Sequence, residues 1–159
     1  MITKEDETFI MRAIEKSREG MNKGHGGPFG AVIVKNGQVI AEGNNEVTST
    51  NDPTAHAEMV TIRKACQALD SHQLDGCTIY SSCEPCPMCL GAIYWARPAR
   101  LVFACSKKDA AAIDFDDDFI YNEIGKSLEN RSIPTEQLLR EKGVAVFQEW
   151  AKKQDKTLY

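Results

Sequence analysis

The chain has 159 residues, 42% hydrophobic and 26% charged, enough for one packed domain without disulfide staples. Its net charge of −4 argues against a protein that holds nucleic-acid phosphates, which need a basic face. No apolar stretch is long enough to span a bilayer, and Met1-Ile2-Thr3-Lys4-Glu5-Asp6 is no secretory leader, so the expected compartment is the cytoplasm. There the six cysteines stay reduced, and clustered ones are metal ligands sooner than disulfides.

Thr3 to Lys23 reads as an amphipathic helix with Phe9, Ala13, Ile14, Ser17 and Met21 on one face. Thr3 and Asp6 form a capping box, and Gly24 stops the helix. Phe29–Val34 and Val39–Gly43 are two strands joined by an Asn36-Gly37 hairpin turn. After a polar loop, Asp52 as cap and Pro53 at the first helical position mark a helix start. Ala55, Met59, Ile62, Cys66 and Leu69 then trace its core stripe. Cys77–Ser81 is a short strand, and Pro87–Ala96 is a helix apolar nearly all round, hence buried. Tyr94 and Trp95 on it read as core or subunit interface. Leu101–Cys105 is another strand, Asp109–Glu123 an acidic and aromatic segment, Thr135–Arg140 a fifth strand and Val144–Lys153 a last helix. Strands alternating with helices imply an α/β fold with helices packed on the faces of a sheet.

The chemistry sits in His56-Ala57-Glu58 and Pro85-Cys86-Pro87-Met88-Cys89. Zinc takes imidazole and thiolate donors, and a catalytic zinc keeps three protein ligands with one place left for water. His56, Cys86 and Cys89 supply that set. Residues two apart on a helix do not share a face, so His56 and Glu58 meet one metal only off the end of a helix. Cys86 and Cys89 also open a helix, so two helix N-termini should converge on the ion and favour thiolate and hydroxide. Glu58 is the natural proton shuttle between metal-activated water, a ring nitrogen and a leaving amine. A competing arrangement adds Cys83 to the three donors and makes a closed, purely structural zinc module with no enzymatic role.

At these residues the chain resembles the cytidine-deaminase-like superfamily, whose members deaminate cytidine, cytosine, tRNA adenosine or guanine. Four longer words, Gly26 to Val32, Asn51 to Glu58, Ser82 to Ala96 and Phe115 to Tyr121, look like its bacterial guanine deaminases. The resemblance implies a three-layer α/β/α fold around a central five-stranded sheet. It implies one zinc per subunit on His56, Cys86 and Cys89, and hydrolysis of guanine at C2 to xanthine and ammonia with Glu58 shuttling protons. Phe29 and His56 would pack against the purine, Asn45 and the Ala57 backbone would hydrogen-bond it, and Asp117 would meet its donor edge and assist proton transfer. Residues 134–159 would exchange between the subunits of a homodimer, so that Tyr159 closes the neighbouring pocket.

Independent support for guanine is limited to chemistry. Its N1–H and 2-amino group are donors that a carboxylate complements, and the Asp114 to Asp118 run could provide one; by composition alone such a run is a solvated loop. A tRNA-adenosine deaminase shares the Asp52-Pro53-Thr54-Ala55-His56-Ala57-Glu58 word, but the acidic balance opposes an RNA partner. Guanosine or cytosine remain alternative substrates. A small purine base, and neither nucleic acid nor membrane, is the expected partner.

Overall fold

The computed structural model describes residues 2–158, which divide into two compact units, Met1–Asp117 and Asp118–Tyr159. The first unit is built as α1 (Lys4–Asn22), β1 (Gly30–Lys35), β2 (Gln38–Asn44), α2 (Val47–Thr50), α3 (Ala57–Leu69), β3 (Cys77–Cys83), α4 (Pro87–Ala96), β4 (Arg100–Cys105) and α5 (Lys107–Ala111). The sheet order is β2-β1-β3-β4; β1 pairs antiparallel with both β2 and β3, and β3 pairs parallel with β4 across the α4 crossover.

Each element follows from a local cause. Thr3 and Asp6 close the capping box that starts α1. Asn36 and Gly37 both take positive φ, 51° and 74°, as a two-residue hairpin whose twist matches its strands requires. Pro87 occupies the first turn of α4, where its missing N–H costs nothing.

Strand alternation then makes three layers. On one face Val32, Val34 and Tyr80 pack on Phe9 and Ala13 of α1. On the other, Ile33, Ala41, Cys77 and Ile79 pack on Ile62 and Ala65 of α3 and Ile93 and Ala96 of α4. The α1 face is pinned by a buried carboxylate: Asp6 accepts hydrogen bonds from the Tyr80 hydroxyl (2.7 Å), from Arg100 Nη1 and Nη2 (2.8 and 3.1 Å) and from the Thr3 backbone (2.8 Å).

The second unit carries α6 (Asp118–Ile124), a 3-10 turn at Leu128–Asn130 and α7 (Arg140–Lys152). Glu123 organises its first half, accepting from Lys126 and from the backbone and hydroxyl of Ser132 at 2.7 and 3.0 Å. On α7, Val146, Phe147 and Trp150 are exposed. No helix among the described residues is long and apolar enough to cross a membrane.

Three expectations are corrected. The sheet has four strands among the described residues, not five; Thr135–Leu138 is loop, and Leu139, at a positive φ of 53°, leads directly into α7. A strand needs a ladder partner, and this segment has none within the sheet. The helix expected from Asp52-Pro53 starts later, at Ala57. Asp52 spends its carboxylate on the Thr54 N–H and hydroxyl (2.8 and 2.7 Å), which closes a local turn instead of capping a helix. Finally, α4 is buried on one face only: Cys89, Ile93 and Ala96 are inside, whereas Tyr94 and Trp95 are 76% and 64% exposed, so they are not core.

Candidate metal centre

Two helix N-termini meet at the site. His56 is the N-cap of α3 and Cys86 the N-cap of α4, with Cys89 inside the first turn of α4. Both caps are extended, with ψ of 155° and 168°, which turns the imidazole and the thiol toward one another at the two helix ends. The donor atoms of His56, Cys86 and Cys89 all lie within 4.8 Å of one another. Cys86 Sγ stands 3.5 Å from His56 Nδ1. Bonds of about 2.1 Å to nitrogen and 2.3 Å to sulfur at a tetrahedral centre separate such donors by about 3.5 Å. The three side chains therefore fit zinc and could hold it, as three protein donors that leave room for one water.

The electrostatics suit a cation. Cys86 is held far below the usual thiol range, at about 4, because Cys89 and then His56 hydrogen-bond to its sulfur. Sharing that bond raises Cys89, and the Cys86 contact raises His56. Metal binding needs deprotonated thiols and a neutral imidazole, so it would displace the protons these groups hold.

Cys83 lies outside the donor set. Its thiol points to the Ser106 carbonyl (3.6 Å), and burial pushes it up to about 12. The closed four-ligand reading fails on that geometry.

Glu58, the second residue of α3, is buried at 6% exposure, and burial raises its carboxyl above the usual range. Its Oε1 accepts from the Ser81 hydroxyl at 2.8 Å. Ala57, the first residue of α3, is fully buried. Asp117 closes the first unit, half-buried and raised chiefly by burial, near enough to Cys86 and His56 for their charges to interact. Phe29 lies just before β1, its ring edge-on to Phe115 with centroids 4.9 Å apart. Asn45 follows β2, is 5% exposed, and its Oδ1 accepts the Val47 N–H (3.1 Å). Tyr159 lies outside the described residues.

Ser81 was missed by sequence reasoning. A serine on a short strand carries no spacing signature; only the alternation of β3, which turns Ile79 and Ser81 to the α3 side, could have suggested it.

Residues 3–105, more than half of the chain, match the family model of the cytidine and deoxycytidylate deaminase zinc-binding region. The chain is 58% identical to a guanine deaminase of Bacillus subtilis over 144 residues, 91% of this chain and 92% of that one. It is also similar to a tRNA-specific adenosine deaminase of Aquifex aeolicus, at 33% identity over 92% of this chain and 94% of that one. Among solved structures, the X-ray structure of guanine deaminase from Bacillus subtilis superposes with a TM-score of 0.94 at 56% identity, covering 96% of this chain and 98% of that chain. A likeness that runs through nine-tenths of both partners and contains the whole donor set reflects common descent: the chain belongs to the cytidine and deoxycytidylate deaminase zinc-binding family, in the group that includes the bacterial guanine deaminases.

Proposed function

We propose that this chain hydrolyses guanine to xanthine and ammonia. The observation that carries the reading is the likeness to a guanine deaminase over 91% of this chain and 92% of its relative. The reaction type has its own support in three metal donors beside a buried glutamate.

His56, Cys86 and Cys89 would hold zinc, which when bound would supply the Lewis acidity that activates a water near neutral pH. Glu58 moves a proton from the attacking water to the ring nitrogen beside C2, then to the departing amine. Its raised affinity for a proton, a consequence of burial, suits a group that must both accept and donate. Asp117 accepts from the donor edge of guanine, N1–H and the 2-amino group, and assists the transfer. Asn45 has its Oδ1 committed to Val47, so its amide nitrogen is the end that faces the purine's acceptors. The Ala57 backbone adds a further hydrogen bond. Phe29, braced edge-on by Phe115, and His56 sandwich the flat ring.

The working form is a cytoplasmic homodimer with residues 134–159 exchanged, so that Tyr159 of the partner subunit closes the pocket. Two exposed apolar faces support it: Tyr94 and Trp95 on α4, and Val146, Phe147 and Trp150 on α7. A 13-residue helix is marginal by itself in water and needs tertiary cover.

The test is a substrate panel. The zinc-loaded protein is incubated with guanine, guanosine, adenine, cytosine, cytidine and an adenosine-containing tRNA anticodon stem-loop, and ammonia is measured. Guanine should give the highest kcat/KM. Turnover of adenine, cytosine or the stem-loop without guanine would refute the substrate; the stem-loop arm addresses the second reading, favoured by the Aquifex likeness.

A further inference from the structure

Resting on the assignment of Glu58 as proton shuttle, we propose that Ser81 is a positioning residue, which holds the Glu58 carboxylate in one orientation.

β3 turns Ser81 toward α3, between Tyr80 and Ser82, which serve the opposite side: Tyr80 reaches Asp6 of α1, and the Ser82 hydroxyl accepts the Gly30 N–H at 3.0 Å. Ser81 is 1% exposed and Glu58 6%, so neither has bulk water as an alternative partner. The Ser81 Oγ makes two contacts. It accepts the Cys83 N–H at 3.4 Å and donates to Glu58 Oε1 at 2.8 Å. A hydroxyl owns one proton. With the Cys83 N–H donating to Oγ, the Ser81 proton is directed to the ionised Glu58 carboxylate.

The contact has a geometric result: Oε1 is tied to β3 through the Ser81 hydroxyl. A free carboxylate can rotate and offer either oxygen, and only some of those orientations reach the reacting atoms. Ser81 restricts that freedom, together with the hydrogen bonds the carboxylate makes to the backbone and to Cys89. No proton is lost or gained at Ser81; its O–H bond remains intact through the cycle.

The experiment compares Ser81→Ala with Ser81→Thr, both zinc-loaded. Ser81→Ala is expected to lower kcat about tenfold while KM for guanine and the zinc content per chain stay as in the unaltered protein. Ser81→Thr keeps a hydroxyl on the same carbon and should restore kcat to within about threefold. Crystal structures of both variants give a second readout, independent of any substrate. The carboxylate should occupy one orientation in Ser81→Thr and several, or a rotated one, in Ser81→Ala. An unchanged kcat in Ser81→Ala, equal losses in the two variants, or an undisturbed Glu58 in the alanine variant would each overturn the proposal. If the unaltered protein releases no ammonia from guanine, the substrate reading fails, and the orientation of Glu58 still decides the role of Ser81.

Discussion

Glu58→Gln separates the metal from the acid–base chemistry. Glutamine has nearly the volume of glutamate, and its amide oxygen can go on accepting the Ser81 proton at Oε1. The amide nitrogen then replaces the other carboxylate oxygen. It cannot take a proton from water, so both transfers lose their carrier. General acid–base catalysis by a positioned side chain is worth about 10²- to 10⁴-fold, and one carboxylate serving two transfers puts the expectation near the upper end. A 10⁴-fold loss in kcat corresponds to about 5 kcal/mol of barrier. Stability should move the other way or not at all: the site is 6% exposed, burial already works against the charged form, and the amide removes that charge. The assay is steady-state ammonia release together with zinc content by atomic absorption and a thermal melt. One zinc per chain, an undiminished melting temperature and a collapse of kcat are expected. A variant that keeps zinc and turns over within tenfold of the unaltered protein would show that the proton travels by another route.

Gly26→Ala should weaken substrate binding, because a Cβ there would come within 2.1 Å of Asn45 Oδ1 and 3.1 Å of its backbone oxygen and force that buried side chain off its Val47 hydrogen bond; KM for guanine should rise about tenfold with a smaller change in kcat. Asp6 sits well below the usual carboxylate range, chiefly through the Tyr80 hydroxyl and then the Thr3 backbone. A carboxylate depressed by folding contributes stability that is present above the unfolded value of about 4 and is lost as pH falls below it. The urea midpoint should therefore fall progressively from about pH 5 down through the depressed folded-state value of Asp6, and less steeply in Asp6→Asn; parallel curves would remove Asp6 as the source. Deleting Leu158 and Tyr159 should cost turnover more than melting temperature, and mixing that truncate with Glu58→Ala protein should recover part of the activity if active sites are completed across subunits.

The metal donors were legible because their constraint is local and chemical. A Cys-x-x-Cys at a helix start and a His-x-Glu that cannot share one helical face leave few geometries, and both helix ends stand where that reasoning puts them. The same stretch also misled. Asp52-Pro53-Thr54 carries every mark of a helix start, yet an Asp can cap a helix or close a turn with the same carboxylate, and here Thr54 takes it. A start at Pro53 would have wound His56 into the body of the helix; the demand that His56 and Glu58 serve one ion was the better guide to the boundary. Ser81 and Asp117 were illegible by themselves. What sets Ser81 apart is its register opposite Glu58, and what sets Asp117 apart from its acidic neighbours is half-burial near Cys86, both tertiary properties. The apolar segments taught the opposite lesson. Pro87–Ala96 was read as buried because it is apolar all round, and a strand was expected at Thr135–Arg140. Apolarity reports that a surface needs cover and says nothing about which chain provides it. Tyr94, Trp95, Phe147 and Trp150 are such surfaces, apolar and exposed in the single chain.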